Sequence, residues 1–204
     1  MKKFNDFRKI LHKVFAILLL TGWLVILIPN SLLVAKPLRF YKGWGGDFTL
    51  TGHDGANVNL EDYRGKVILL YFGYTFCPDA CPTTLLDLKQ IMKKLDKQAQ
   101  QVQTLFISID PERDTPERLK EFVTHFDPSF VGLTGSEKAI KKAAEKYGMR
   151  YMREQVESVA GYFFAHTDYV FLVDKQGRLR GRFQTQREAE QLVSGIQQLI
   201  IENK

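Results

Sequence analysis

The sequence predicts one α/β domain with a buried and mainly parallel sheet, and three observations indicate this class. Two largely apolar runs, Val67–Phe72 and Gln103–Ile109, are typical of strands that are buried on both faces. Between these runs, apolar residues recur at helical spacing from Leu85 to Leu95. Helical and strand patterns continue to alternate after the second run, which is the pattern of βαβ units.

The remaining elements follow from start and stop signals along the chain. Asp114-Thr-Pro-Glu117 is a helix cap followed by proline at the first helical position. A short turn, Asp174-Lys-Gln-Gly177, joins two strand patterns and predicts a β-hairpin. The later elements predicted in this way are helices at Asp114–His125, Ser136–Tyr147 and Glu188–Glu202, and strands at Tyr169–Val173 and Leu179–Phe183. With an N-terminal hairpin near Phe48–Leu60, this order predicts a thioredoxin-like domain.

The N-terminal part of the chain predicts a membrane segment. Residues 14–35 contain no charge, and a helix of this length spans the roughly 30 Å core of a bilayer. A cleaved signal peptide is the alternative, because Ala35 could stand at a cleavage site. Leu33 would then occupy a position where a small residue is expected, so we favour an uncleaved signal-anchor.

Charge predicts the orientation and the division of the chain. Residues 1–13 carry five Lys/Arg against one Asp, so this flank is expected to stay in the cytoplasm. The net charge of +6 belongs mostly to residues 1–36, which leaves about +1 for the remainder and gives no basic surface for nucleic acid. We expect residues 36–46 to be a linker and residues 47–204 to form the thioredoxin-like domain. That domain should be extracytoplasmic, on the periplasmic side of the inner membrane.

Two cysteines, Cys77 and Cys81, are the only ones in the chain and lie where the first buried strand gives way to a helix. Two cysteines cannot build a disulfide framework, so their closeness indicates chemistry. At a helix start, unsatisfied N–H groups and the helix dipole favour a thiolate, which is both a nucleophile and a metal ligand. The spacing allows either a redox-active disulfide or the binding of one soft metal ion by both sulfurs.

A soft site with two thiolates usually needs a third ligand, for which imidazole is common. Of the four histidines, His12 lies in the cytoplasmic flank, His53 in the early hairpin and His125 at a helix end. His166 stands before a predicted strand, in an aromatic segment. On the residues alone it reads either as a satisfied core histidine or as the third ligand.

Three ordered motifs together resemble the Sco/SenC family, which are membrane-anchored thioredoxin-fold copper proteins that serve cytochrome c oxidase assembly. These motifs are FGYTFCPDACP, the segment SIDPERDTPE at Ser108–Glu117, and the late His166-Thr167. The resemblance covers residues 44–202 and the anchor. It implies that Cys77, Cys81 and His166 bind copper, as Cu(I), Cu(II) or both. It also implies a copper donor protein and, as the client, the dinuclear copper site of oxidase subunit II.

The resemblance leaves alternatives to copper delivery open. The pair Cys77 and Cys81 could reduce the subunit II cysteines as a thiol–disulfide oxidoreductase, and a peroxidase or a zinc site are weaker possibilities. Family members often have an acidic residue before the histidine, whereas this chain has Ala165. In the loop Asp110–Asp114, charged side chains could contact a partner or could form a capped, salt-bridged loop.

Overall fold

A computed structural model of the chain describes residues 38–157 and 161–202. The predicted cytoplasmic flank and the predicted membrane segment, residues 1–13 and 14–35, lie outside the described residues. Within the described ranges, no helix is long and apolar enough to cross a membrane. The chain divides into two units at Lys36, and the unit that begins at Pro37 contains the whole described fold.

Seven strands form one mixed sheet in the order β2-β1-β5-β4-β3-β8-β9. The central strands β3, β4 and β5 are parallel, and every residue of β3 and β4 is buried because both faces of the sheet are covered. Strands β6 and β7 form a separate antiparallel pair. The strand bounds are β1 Thr49–Gly52, β2 Asn57–Asn59, β3 Val67–Gly73, β4 Val102–Ser108, β5 Val131–Thr134, β6 Tyr151–Gln155, β7 Tyr162–His166, β8 Val170–Val173 and β9 Leu179–Phe183.

Four α-helices are present in the described residues, at Ala80–Leu95 (α1), Pro116–Phe126 (α2), Glu137–Lys146 (α3) and Thr185–Ile201 (α4). Helix α2 begins after Thr115, whose side chain accepts the Arg118 N–H, with proline at its first position as the sequence predicts. Helix α3 begins in the same way after Ser136, which accepts from the Ala139 N–H. Two short 3₁₀ turns, Leu60–Tyr63 and Asp96–Gln101, complete the helical structure of the described part.

The thioredoxin-like arrangement and the N-terminal hairpin are confirmed. Strands β1 and β2 form that hairpin, and β1 also pairs with β5, so the hairpin extends the main sheet. The β6–β7 hairpin was not predicted. Four of the five residues of β6 are exposed, so this strand lacks the apolar run by which the central strands are recognised. His166 therefore ends a strand of its own before β8 begins.

The carboxyl ends of β3 and β4 lie at one edge of the sheet. Their register is continuous from Val67 opposite Val102 to Gly73 opposite Ser108. The turn after β3 carries Cys77, and the loop after β4 carries Asp110, so these two segments are neighbours at that edge, as predicted. The opposite edge is formed by the start of β3 and the β8–β9 turn, since the Gly65 N–H donates to the Lys175 carbonyl.

Candidate metal centre

Cys77 and Cys81 lie on either side of the start of helix α1. Cys81 is in the first turn of the helix and is fully buried, whereas Cys77 precedes the helix and is 9% exposed. The Cys81 backbone N–H points at the Cys77 sulfur at 3.4 Å. This contact is the local effect that the sequence predicts, since free N–H groups at a helix start favour a thiolate. The two cysteines are not joined by a disulfide in this structure.

His166 at the end of β7 completes a three-residue group with the cysteines. Its Nε2 lies 3.6 Å from the Cys81 sulfur, and its Nδ1 lies 3.2 Å from the Thr167 carbonyl oxygen. Because a carbonyl only accepts, Nδ1 carries a proton, and Nε2 faces the sulfurs, as a donor when the imidazole is charged and with a free lone pair when it is neutral. The three ligand atoms of Cys77, Cys81 and His166 lie within 4.8 Å of one another.

This donor set fits a soft metal ion. A three-coordinate ion with bonds of roughly 2.0–2.3 Å separates its ligand atoms by about 4 Å. The group therefore needs only small side-chain movements to close on one ion. Two thiolates and an imidazole favour Cu(I) or Zn²⁺ over Mg²⁺ or Ca²⁺, which prefer oxygen ligands.

The two thiols differ strongly in acidity. A hydrogen bond from the Cys81 thiol lowers the pKa of Cys77 to about 4, against the opposing effect of burial. Hydrogen bonds from His166 and from backbone N–H groups act in the same direction. The same bond raises the pKa of Cys81, and burial raises it further. The metal-free site therefore holds one thiolate, on Cys77, and one thiol, on Cys81.

We predict that the Cys81 thiol controls the acidity of Cys77. Cys81→Ala removes the donor and is expected to raise the pKa of Cys77, whereas Cys81→Ser keeps a donor and should raise it less. The measurement is the ultraviolet thiolate absorbance of the metal-free, reduced domain as a function of pH. Equal titration curves for the two variants would show that another group sets the acidity of Cys77.

Near His166 lies a small polar cluster that the sequence motifs do not include, formed by Asp168, Tyr71 and Thr84. Burial opposes the charge of His166, but hydrogen bonds with Cys77 and the Thr167 carbonyl outweigh it and raise its pKa, with a further contribution from the charge of Asp168. Asp168 accepts hydrogen bonds from Tyr71 at 2.8 Å and from Thr84 at 3.4 Å. A carboxylate thus lies near the histidine although residue 165 is alanine. A charged residue at the start of an apolar strand is the signal that marks Asp168.

Gly73 is the last residue of β3 and lies directly beneath the Cys81 sulfur. A Cβ at this position would lie 2.8 Å from that sulfur and 2.8 Å from Phe106 Cε2. Contacts this short cannot be accommodated without a shift, because both neighbours are buried. Glycine is therefore required here by the close approach of the Cys81 side chain to the backbone.

We expect Gly73→Ala to destabilise the domain by about 1–3 kcal/mol, the usual cost of overpacking a core. The displaced Cys81 sulfur should also weaken metal binding. Urea denaturation checks the first effect, with Gly135→Ala as a matched control, since its nearest neighbour is the tip of Leu50 at 3.2 Å. Equal stability of the two variants would contradict the packing argument.

The loop after β4 is a capped and salt-bridged structure, as one of the two interpretations of its charged residues predicts. Asp114 is fully buried and accepts hydrogen bonds from the Thr75 N–H at 2.9 Å, the Thr75 hydroxyl at 2.6 Å and the Ser108 hydroxyl at 2.6 Å. Asp110 is ion-paired with Arg113. Because Thr75 stands two residues before Cys77, Asp114 fixes the loop that carries the first cysteine.

Strand β7 is held against both loops. Tyr74 accepts the Phe164 N–H at 3.2 Å, and its ring lies edge-on to Phe164 and to His166. At the other end of the strand, the Tyr162 hydroxyl donates to Asp110 at 2.8 Å, and its ring stacks on the Arg113 guanidinium. The position of His166 relative to the cysteines therefore depends on residues from both loops at this edge.

Comparison with known proteins identifies relatives of this chain. Residues 37–201 match the SCO1/SenC family model. A SCO2-like protein of Rickettsia felis is 39% identical over 140 residues, which cover 68% of each chain. The mitochondrial SCO1 homolog of Homo sapiens is 36% identical over 160 residues, which cover 77% of this chain and 52% of the human protein.

Solved structures of similar proteins agree with the fold. The structure of Bradyrhizobium japonicum ScoI with copper bound has a TM-score of 0.70 at 35% identity, and the match covers 76% of this chain and 99% of that one. Apo Sco1 of Thermus thermophilus has a TM-score of 0.67 at 39% identity, over 83% of this chain and 95% of that one. The chain belongs to the SCO1/SenC family.

Proposed function

We propose that this protein is a membrane-anchored copper chaperone that delivers copper to the dinuclear copper site of cytochrome c oxidase subunit II during assembly. The observation that carries the proposal is the group of Cys77, Cys81 and His166, whose ligand atoms lie within 4.8 Å of one another at the edge of the sheet. A relative of this family, Bradyrhizobium japonicum ScoI, has been solved with copper bound. Copper is the cargo of the proposed reaction, and it is received from a donor protein.

The exposure of the three ligands suggests how copper leaves. Cys81 is buried at the closed end of the group, whereas Cys77 and His166 are nearer to solvent. An entering thiolate of subunit II would therefore exchange first with His166 or Cys77, and Cys81 would release the ion last. Phe76 beside Cys77 is exposed and lies between the guanidinium groups of Arg113 and Arg118, at 4.6 and 4.2 Å from its ring centroid. This rim is where the receiving subunit would make contact.

Transfer between purified proteins tests the proposal. The copper-loaded domain is mixed with the apo soluble domain of subunit II, whose cysteines have been reduced beforehand, and formation of the dinuclear centre is followed by its visible absorbance. We expect the centre to form with the wild-type protein and not with Cys81→Ser. Failure of the wild-type protein to transfer copper, although it binds copper and the acceptor accepts copper salts, would contradict the proposal.

The proposed attachment uses residues 14–35 as an uncleaved anchor, with residues 1–13 in the cytoplasm and the metal-binding domain in the periplasm. The uncharged run and the basic flank support this topology. An alkaline phosphatase fused after Lys204 tests it, because this enzyme becomes active only after export. We expect the fusion to be active. An inactive phosphatase fusion at normal expression would contradict the proposed topology.

A second candidate function is reduction of the subunit II cysteines, and the thiolate of Cys77 beside the Cys81 thiol favours it. Cys77 would attack a disulfide of subunit II and form a mixed disulfide, which releases one thiolate of the partner. Cys81, on losing its proton, would attack the Cys77 sulfur and release the second thiolate. Two electrons then pass from this pair to the partner. If the His166→Ala variant still reduces the subunit II disulfide, this function is favoured over copper delivery.

A further inference from the structure

Residues 38–46 cross the edge of the sheet that lies opposite the cysteine turn. The Tyr41 N–H donates to the Leu179 carbonyl, and Gly45 forms a bridge with Arg178, which places the segment at the β8–β9 turn. The Gly45 N–H also donates to the Lys146 carbonyl at the end of α3. The predicted linker residues that the structure describes are therefore docked on the domain.

The docked segment exposes two large aromatic side chains. Phe40 is 60% exposed and Trp44 is 53% exposed, although the ring of each also packs against a residue of the domain. The Trp44 ring lies over Gly148, which has φ of +66° and no room for a Cβ. Phe40 lies beneath the Arg178 guanidinium, 5.9 Å from its ring centroid. The two rings are thus held in place with their outer faces in water.

Two cations accompany these rings. Arg39 and Lys42 are exposed, and neither has a carboxylate partner among the described residues. The segment Leu38–Gly46 contains no Asp or Glu. We call Arg39, Phe40, Lys42 and Trp44 together the basal surface.

We propose that the basal surface binds the surface of a lipid bilayer that contains anionic lipids. Aromatic rings that are partly exposed to water and partly in apolar contact are typical of the membrane–water interface, at the level of the lipid headgroups. Lys and Arg side chains near such rings are attracted to anionic lipid phosphates. The four side chains offer both interactions on one short segment. Its position in the chain agrees with this assignment, because it follows the uncharged run 14–35 by two residues.

Binding in this way would fix the orientation of the domain. The basal surface and the cysteine turn lie at opposite edges of the same sheet, since Ile68 at the start of β3 pairs with Val173 and Gly73 ends the strand. A domain seated on the bilayer through the basal surface would present the metal centre to the water-facing side. The proposal goes beyond copper delivery and does not depend on it, because the surface contains none of the three ligand residues.

Tryptophan fluorescence of a fragment that begins at Pro37 tests the proposal. The fragment keeps the compact unit and the whole family match, and solved relatives consist of little more than this part. Trp44 is its only tryptophan, since the other one is Trp23. With phosphatidylcholine vesicles that contain one quarter phosphatidylglycerol, at low ionic strength, we expect a blue shift of the emission and sedimentation with the vesicles. Pure phosphatidylcholine vesicles should bind it more weakly.

Variants separate the two parts of the surface. Arg39→Gln with Lys42→Gln should reduce partitioning to anionic vesicles by about fivefold for each charge, and Phe40→Ser should reduce it for both kinds of vesicle. Lys89→Gln with Lys120→Gln removes two exposed charges elsewhere and is the matched control. Copper binding by every variant reports that the fold and the metal centre are intact.

Two results would overturn the proposal. One is absence of both the blue shift and sedimentation with anionic vesicles at low ionic strength. The other is binding that the control pair weakens as much as the basal pair does, which would mean attraction through overall charge. A failure of copper delivery alone would leave these results unchanged, so the two proposals fail separately.

Discussion

Replacing His166 by alanine is expected to weaken Cu(I) binding by about a hundredfold or more. The substitution removes the only nitrogen donor of the group, whose Nε2 faces the sulfurs because Nδ1 is bonded to the Thr167 carbonyl. Loss of a residue that merely orients a metal ligand costs roughly 10–100-fold in affinity, so loss of the ligand itself should cost at least the upper end of that range. Competition with a Cu(I) chelator of known affinity, under anaerobic conditions, measures the change.

His125→Ala is the matched control for this prediction. His125 lies exposed in the last turn of α2, and its removal should leave the affinity unchanged. If His166→Ala binds Cu(I) as tightly as the wild-type protein, the three-ligand site is wrong and the two sulfurs alone hold the ion. Affinity lost equally in both variants would indicate a general effect of removing an imidazole.

Replacing Asp114 by alanine is expected to lower the free energy of unfolding by about 3 kcal/mol. The change leaves three donors without their acceptor, two on the half-buried Thr75 and one on the buried Ser108. A buried donor without a partner costs about 1–3 kcal/mol, and part of this cost is relieved by local movement. Since Thr75 is two residues from Cys77, the variant should also bind copper more weakly. Urea denaturation of the metal-free domain measures the stability.

Asp114→Asn separates the hydrogen bonds from the charge. Burial raises the pKa of Asp114, against hydrogen bonds from Ser108 and Thr75 that lower it. A carboxyl whose pKa is higher in the folded than in the unfolded chain favours folding at low pH, and this contribution is lost as pH rises through the folded pKa. Asparagine keeps an acceptor and has no charge, so Asp114→Asn should be much more stable than Asp114→Ala. Equal loss in both variants would mean that the charge itself is required.

The buried part of the fold could be predicted from the sequence because its signals are local. Strands β3 and β4 are largely apolar runs, and the starts of α2 and α3 have side chains that cap them. Each of these signals depends only on neighbouring residues. The pairing of β1 with β5 depends on contacts between distant segments, and the exposed strand β6 has no apolar run, so neither has a local pattern in the sequence.

The metal centre was predicted in two different ways. The position of Cys77 and Cys81 follows from the strand-to-helix turn, whereas His166 follows from the resemblance to a family, since the residues alone favour a core histidine. The supporting residues were missed because their roles depend on geometry. Gly73 is a glycine because a sulfur approaches its backbone, and Asp168 is held beside the site by a hydrogen bond from Tyr71 of β3.

X-ray absorption of the Cu(I)-loaded domain tests the central claim most directly, because it counts the atoms bound to the metal. We predict two sulfur ligands and one nitrogen ligand at one copper ion for each domain, which are the Cys77 and Cys81 sulfurs and the His166 Nε2. In His166→Ala the nitrogen contribution should disappear while sulfur remains. A wild-type spectrum with sulfur ligands alone, or one that His166→Ala does not change, would contradict the assignment of this group as the copper site.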